Sequence, residues 1–164
     1  MQLECFSDKT HHGYLPLYEK WFSSLQTESF SLLEIGVGGG ESLKMWRDAF
    51  PNAQIFGIDI SQYCYLEGEP RITTIIGDAG NRHFLKNMMS ISNLKIVVDD
   101  AGHQYDQQVE SFKFFSPQLP VGGFYVVEDL EVSPQIIHYL RGQVEKLGFS
   151  IHPNRNIVFL KREK

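Results

Sequence analysis

Short apolar runs alternate with amphipathic segments along the chain. Apolar runs bounded by polar or glycine-rich turns are typical of buried strands, and they lie at 32–37, 54–59, 72–76, 94–98, 124–127, 149–152 and 157–160. Between them, apolar residues recur at helical spacing at 14–25, 41–50, 84–89, 104–115 and 134–147. Strands that alternate with helices predict a doubly wound α/β fold, in which helices cover both faces of a mostly parallel sheet.

The C-terminal part of the pattern departs from this alternation. Only Pro153-Asn154-Arg155-Asn156 separates the last two apolar runs, which is too short a link for a crossover between parallel strands. We therefore expect a C-terminal antiparallel hairpin that completes a seven-stranded sheet. Gly148 follows the last helical segment, at a position where a left-handed cap commonly ends a helix.

The totals are those of one globular domain. The chain has 164 residues, of which 42% are hydrophobic and 13% aromatic, so it can bury a substantial core. Neither a repeat nor a linker interrupts the pattern. We expect a single domain over 1–164, with residues 1–27 as an N-terminal polar segment and helix.

Charge and hydropathy narrow the classes of partner. The formal net charge of −5 gives no electrostatic reason to bind a nucleic-acid backbone. No stretch reaches the ~18 apolar residues of a membrane span, and the first residues show no signal-like run. Cys5 and Cys64 are interpreted as two free thiols of a reducing compartment rather than a disulfide. The expectation is a cytoplasmic protein that binds neither nucleic acid nor membrane.

A glycine-rich turn follows the first predicted strand, at Gly36-Val37-Gly38-Gly39-Gly40. Ligands of doubly wound sheets bind beyond the carboxyl ends of the strands, where glycines and a helix N-terminus allow close approach to the backbone. Asp59 ends the second strand, where a carboxylate can accept hydrogen bonds from both hydroxyl groups of a ribose. Asp78 ends the third and is placed to reach an adenine. The turn alone is weak evidence, but with two strand-end acids it predicts an adenosine-containing ligand.

The same turn discriminates between two cofactors. In a Gly-x-Gly-x-x-Gly motif the third glycine would fall at Glu41, and a negative side chain beside a pyrophosphate is unfavourable. A nicotinamide dinucleotide therefore fits less well than a cofactor that has adenosine but no phosphates, such as S-adenosylmethionine (SAM).

Two acidic strand ends carry the second candidate site. Asp99 and Asp100 follow the strand at 94–98, His103 comes three residues later, and Glu128 and Asp129 follow the strand at 124–127. Neighbouring parallel strands end at the same edge of a sheet, so these side chains should meet there. Four carboxylates so close together are not all ionised unless a cation joins them. The sequence therefore predicts a divalent metal site with a histidine beside it.

Oxygen ligands of this kind suit Mg²⁺, which can stabilise and orient a developing alkoxide. His103, with an ordinary pKa near neutrality, could take the hydroxyl proton as general base. Other interpretations remain open at this point. Strand-end acids often cap the following helix, as Asp99 could do, and a histidine after a strand is often a hydrogen-bonded surface residue.

Several motifs together resemble a known family. The segment Leu33-Glu34-Ile35-Gly36-Val37-Gly38-Gly39-Gly40, with Asp59 and Asp78, resembles the SAM site of class I methyltransferases. Three further segments are similar to those of the metal-dependent sugar O-methyltransferases of macrolide biosynthesis, the mycinamicin and macrocin type: Asp8-Lys9…His12-Gly13-Tyr14, Val98-Asp99-Asp100-Ala101-Gly102-His103 and Gly122-Gly123-Phe124-Tyr125-Val126-Val127-Glu128-Asp129-Leu130. The resemblance covers nearly the whole chain.

The resemblance implies roles for several of the matched positions and leaves the role of the segment from Asp8 to Tyr14 open. It implies Asp100, Glu128 and Asp129 as ligands of Mg²⁺ or another divalent cation, and His103 as the base. The implied cofactor-binding residues are Glu34, Gly36, Gly38, Asp59, Asp78, Ala79 and Asp99. For Asp99, strand-end hydrogen bonding is the alternative role. Catechol-type relatives use a lysine where this chain has His103, which favours a sugar or other aliphatic hydroxyl. His11 and His12 lie over the cofactor by the same resemblance, or are solvated loop residues.

The leading hypothesis is SAM- and Mg²⁺-dependent methylation of a hydroxyl of a sugar or glycosylated small molecule. The alternatives are a non-catalytic SAM-binding subunit, a catechol-type O-methyltransferase and an NAD-dependent oxidoreductase. The short chain leaves little room for a substrate lid, which motivates the non-catalytic alternative. It also leaves open a homo-oligomer in which a partner subunit completes the pocket.

Overall fold

The computed structural model describes residues 1–4, 8–64, 66–88 and 90–164. It forms one seven-stranded sheet with the order β3-β2-β1-β4-β5-β7-β6. The strands are β1 (Ser31–Ile35), β2 (Gln54–Asp59), β3 (Ile72–Ile76), β4 (Leu94–Asp99), β5 (Phe124–Val127), β6 (Phe149–Asn154) and β7 (Ile157–Arg162). β1 to β5 run parallel, and β7 pairs antiparallel with both β5 and β6. The predicted fold class and the C-terminal hairpin are confirmed.

In the described residues, six α-helices and three short 3-10 helices accompany these strands. The α-helices are α1 (Asp8–His11), α2 (Leu15–Phe22), α3 (Glu41–Ala49), α4 (Arg82–Asn87), α5 (Tyr105–Phe115) and α6 (Gln135–Leu147). Gly148 ends α6 with a φ of 73°, as expected of a left-handed cap. The pattern did not predict α1, and it extended the first strand to 37, whereas the chain turns at Gly36. Two predictions, a free Cys5 thiol and Met89 in the fourth helix, lie outside the described residues.

Helices on both faces of the sheet bury two separate cores. Alternate strand residues point to opposite faces, so that Leu32 belongs to the core under α2 and α3 and Leu33 to the core under α4, α5 and α6. The first core is rich in aromatic rings, and Tyr18 of α2 packs edge-on against Trp46 of α3 at 4.9 Å between ring centroids. This contact helps to hold α2 on that face of the sheet, and the segment before α2 reaches the carboxyl ends of the strands, where Lys9 contacts Glu34, Asp100 and Glu128.

Among the described helices, none has both the length and the apolar content needed to cross a bilayer. Cys64 is a buried free thiol, as the sequence analysis expected for this residue.

Candidate functional site

A cleft of about 570 Å³ opens at the carboxyl ends of β1 to β4. In the strand order, β1 lies between β2 and β4, so the connections leave β1 and β4 in opposite directions. This is the switch point at which doubly wound sheets bind ligands. The predicted cofactor residues that line the cleft are Gly36, Gly38, Asp59, Asp78 and Ala79.

Two glycines of the turn after β1 serve different purposes. Gly36 has a φ of 90°, and a Cβ added there would lie 2.1 Å from the carbonyl oxygen of Asp100. Gly38 has a φ of 54°, and no other atom lies within 4 Å of its Cβ position. Gly36 therefore lets the chain after β1 pass close to the backbone of Asp100, whereas Gly38 leaves open space for a ligand.

Asp59 fixes this turn from the end of β2. Its Oδ2 accepts hydrogen bonds from the backbone N–H groups of Val37 at 2.8 Å and Gly38 at 3.1 Å, and its Oδ1 accepts one from Ser61 at 2.8 Å. Asp78 accepts similarly from the backbone N–H of Gly80 at 2.7 Å. Both carboxylates are thus held in place at the cleft, and their contact with a ribose or adenine stays a prediction.

Glu34 and Asp99 differ from the other predicted cofactor residues, because neither lines the described cleft. Glu34 is fully buried and accepts a hydrogen bond from Ser42 at 2.7 Å. Asp99 is buried and accepts one from the Tyr125 hydroxyl at 2.8 Å. Burial raises the pKa of Asp99 to about 6, although the Tyr125 bond opposes this shift. The structure shows strand-end hydrogen bonding for Asp99, and a cofactor contact by either acid stays a prediction.

The acidic tips of β4 and β5 meet, and a lysine lies between them. Lys9 Nζ is 2.5 Å from Asp100 Oδ2, 2.8 Å from Glu128 Oε1 and 3.0 Å from Glu34 Oε1. Burial alone would lower the pKa of Lys9, which is 1% exposed, but the three carboxylates outweigh it and raise this pKa well above its ordinary value. The sequence predicted that the acidic cluster needs a cation. Part of that positive charge comes from the ammonium group of Lys9.

One lysine does not balance the cluster. Burial and repulsion by Glu128 raise the pKa of Asp100 to about 9 despite the opposing charge of Lys9. Burial likewise raises the pKa of Glu128, against the hydrogen bonds that it accepts from Lys9 and the Tyr18 hydroxyl. An additional positive charge at these tips would therefore be favourable.

Asp129 is the centre of a second group of side chains. Its Oδ1 accepts a hydrogen bond from the Tyr14 hydroxyl at 2.6 Å and lies 3.1 Å from His12 Nδ1. Its Oδ2 lies 3.4 Å from His103 Nε2. His103 and Asp129 both have positive φ, 51° and 52°. Such backbone conformations are uncommon for residues other than glycine, and they concentrate at functional sites.

These contacts bring together three of the four residues predicted for the chemistry. Asp100, His103 and Asp129 each offer a ligand atom within 4.8 Å of the others, which is a possible cation-binding arrangement. Glu128, the fourth, faces Lys9 and Tyr18 instead. Asp100 and His103 also line the cleft, so the cluster adjoins the space in which a cofactor would lie.

Three participants had no predicted role at the acidic cluster, namely Lys9 and Tyr14, which belong to a segment of the family resemblance, and Tyr18. They come from the N-terminal segment and α2, far in sequence from the acids that they contact. The available signal was the excess of acids itself, since buried carboxylates require a cation and donors. His12, for which two interpretations were open, is half-exposed beside Asp129, and His11 is exposed.

Comparison with known proteins shows which proteins the chain is similar to. No family model matches the chain. The chain is 39% identical over 127 residues to the 8-demethyl-8-(2-methoxy-alpha-L-rhamnosyl)-tetracenomycin-C 3'-O-methyltransferase of Streptomyces olivaceus, covering 73% of this chain and 32% of that protein. It is 36% identical over 127 residues to the mycinamicin VI 2''-O-methyltransferase of Micromonospora griseorubida, again covering 73% and 32%.

The fold comparison agrees with the sequence comparison. The MycE methyltransferase of the mycinamycin biosynthetic pathway, solved in complex with Mg, SAH and mycinamycin VI, superposes with a TM-score of 0.79 and 28% identity. The match covers 92% of this chain and 50% of MycE. The chain thus spans about a third of the length of the curated relatives that it matches. It is a homologue of these sugar O-methyltransferases over that length, and it has the class I methyltransferase fold.

Proposed function

We propose that the chain is the catalytic part of a SAM- and divalent-metal-dependent O-methyltransferase that acts on a hydroxyl of a sugar or glycosylated small molecule. The observation that carries this proposal is the cluster of Asp100, His103 and Asp129 at the edge of the cleft. A cation site beside an adenosine-sized cleft suits alkylation of a hydroxyl. The homologues act on glycosides, which supports the substrate class.

The residues present fit both cofactors. The open space at Gly38, beside the fixed carboxylates of Asp59 and Asp78, fits an adenosine. The oxygens of Asp100 and Asp129, in a cluster that one lysine leaves negative, fit Mg²⁺ or a similar cation. Once bound, SAM supplies an electrophilic methyl group and the cation supplies stabilisation for an alkoxide.

His103 is placed to handle the proton. Asp129 Oδ2 lies 3.4 Å from His103 Nε2, so the carboxylate faces the ring of the proposed base, and His103 itself lines the cleft. With SAM and an acceptor bound, the acceptor oxygen would bond to the methyl carbon as the carbon–sulfur bond breaks, and His103 would take the hydroxyl proton.

The test is methylation of a panel of glycosides and catechols, followed by mass spectrometry. We expect turnover of glycosides with SAM and Mg²⁺, loss of turnover with EDTA and recovery on adding Mg²⁺. His103→Ala should lower kcat by about 10²–10⁴-fold and leave the Kd for S-adenosylhomocysteine (SAH) unchanged. His138→Ala, at an exposed histidine on α6, is the control and should behave as wild type.

Each part of the proposal has an outcome that contradicts it. An EDTA-treated protein with full activity would exclude the cation, and full activity of His103→Ala would exclude the base. Preference for catechols would replace the substrate class. Tight SAH binding without turnover of any acceptor would favour a non-catalytic SAM-binding subunit.

A further inference from the structure

Lys9 has a role in the site that the proposed chemistry does not assign. Its side chain is 1% exposed, and it contacts Asp100 and Glu128, which lie 91 and 119 residues away in sequence. An ammonium group has three hydrogens, and three carboxylate oxygens lie within 3.0 Å of this one. The lysine therefore joins the ends of β4 and β5 to α1 at a single point.

We propose that Lys9 is a positioning residue for the proposed methyl transfer, on which this inference rests. It acts through Asp100 and Glu128, whose carboxylates it holds at a fixed separation beside His103 and Asp129. Changing a neighbouring group that orients a metal ligand typically lowers metal affinity or activity by about 10–100-fold. Lys9 stands in that relation to Asp100.

Glu34 supports Lys9 from beneath the cleft. It is fully buried in β1, it accepts a hydrogen bond from Ser42 at 2.7 Å, and it does not line the described cleft. Its other oxygen lies 3.0 Å from Lys9 Nζ. This fixed carboxylate locates the ammonium group, which in turn locates Asp100. Glu34 is thereby explained without a cofactor contact.

Charge balance alone is the competing explanation, and a pair of variants separates the two. Lys9→Met removes one positive charge from the group formed by Lys9 and the carboxylates around it. The double variant Lys9→Met/Glu34→Gln also removes one negative charge, so that the net charge equals that of wild type, with side chains of similar volume. Neutral replacement of a buried ion pair is often tolerated by the fold. The double variant therefore keeps the charge and loses only the positioning.

The experiment measures the melting temperature, the Kd for SAH, the Kd for Mn²⁺ by titration of metal-free protein, and kcat. We expect Lys9→Met to lower the melting temperature and the double variant to recover most of it. The double variant should bind SAH as wild type does, and should lose about 10–100-fold in Mn²⁺ affinity and in kcat. Lys44→Met on α3, at a half-exposed lysine beside Glu69, is the control and should change neither.

Wild-type Mn²⁺ affinity and kcat in the double variant would overturn the proposal, because charge balance would then suffice. Wild-type values in Lys9→Met alone would overturn it as well, and so would failure of both variants to fold, since Lys9 would then act in folding. If the wild-type protein methylates no acceptor, the proposed function fails. The Mn²⁺ affinities would still decide the role of Lys9.

Discussion

Asp99 and Asp100 are adjacent in the chain but have opposite surroundings. The Asp99 side chain points into the core, where the hydroxyl of buried Tyr125 is its partner, while Asp100 reaches Lys9 and the cleft. The alternation of side chains along a strand produces this division. The Asp100 carboxylate is available to a cation, whereas the Asp99 carboxylate links β4 to β5 through Tyr125.

The first prediction concerns Asp99→Asn. The pKa of Asp99 is about 6 in the folded protein against 3.8 for an ordinary aspartate, chiefly because of burial, so the folded state binds this proton more tightly. The resulting stabilisation is complete below about pH 4 and is lost as the pH rises through about 6, a change of about 3 kcal/mol. Asparagine can still accept from Tyr125 and has no such dependence. As the pH rises from about 4 to above about 6, the free energy of unfolding, measured with urea in EDTA, should fall by about 3 kcal/mol more for wild type than for Asp99→Asn.

Asp48→Asn is the control for this measurement. Asp48 is exposed, and its hydrogen bond with Arg47 lowers the pKa of its carboxyl group, so its removal should leave the wild-type decline in place. Parallel pH profiles for wild type and Asp99→Asn would show that folding does not raise the pKa of Asp99.

Individual residues of the site were predictable only where a pattern placed them. Asp100, His103 and Asp129 follow predicted strands, so sheet geometry brings them to one edge. Lys9 follows no strand, and a polar segment carries no hydrophobic period that says where it docks. Its position depends instead on Tyr18, whose ring packs in the aromatic core while its hydroxyl donates to Glu128.

The turn between β1 and α3 is the element on which the cleft depends. Gly36 N donates to the carbonyl of Ile58, and Asp100 N donates to the carbonyl of Ile35, so the turn is tied to the ends of both β2 and β4. Gly36 lies at the tightest point and Gly38 at the open one. The sequence showed a run of glycines, and only the packed strand ends distinguish their roles.

Alanine at these two positions should have different consequences. Gly36→Ala forces a methyl group against the Asp100 carbonyl at a φ of 90°, and we expect it to cost about 3 kcal/mol or more in urea unfolding. Gly38→Ala meets no atom and should cost only about 1–2 kcal/mol for its left-handed backbone. Its methyl group lies in the cleft, so SAH binding by calorimetry should weaken.

The two alanine variants act as controls for each other. Equal losses of stability would mean that the Asp100 contact does not limit Gly36. Unweakened SAH binding by Gly38→Ala would place the cofactor away from this turn.

At the scale of elements, the apolar pattern was sufficient for the sheet. Parallel strands with helical crossovers allow few strand orders, and the short link at 153–156 required a hairpin. The pattern failed for α1, since four residues with no apolar face give no helical signal. α1 is held from outside by the contacts of Lys9, which is a tertiary effect.

Across the whole molecule, the loop after β4 joins the two predicted sides of the cleft, one for the cofactor and one for the chemistry. Gly36, Asp59 and Asp78 border one side, and Asp100 and His103 the other. Glu41, at the start of α3, lies over the glycine turn, since a Cβ on Gly39 would be 2.5 Å from its Oε2. Its carboxylate therefore lies close to the position where a dinucleotide would place its pyrophosphate.

This arrangement predicts which adenosine cofactor stabilises the whole protein. SAH brings no phosphate near Glu41, and at about 100 times its Kd a ligand adds about 2.7 kcal/mol to folding. For a chain of this length that corresponds to a rise of roughly 5–10 °C in melting temperature. NADH should produce no rise, because repulsion from Glu41 opposes its pyrophosphate. Glu41→Gln removes that repulsion and should leave the SAH shift intact. A larger shift with NADH than with SAH would reverse the assignment of the cleft and restore the oxidoreductase alternative.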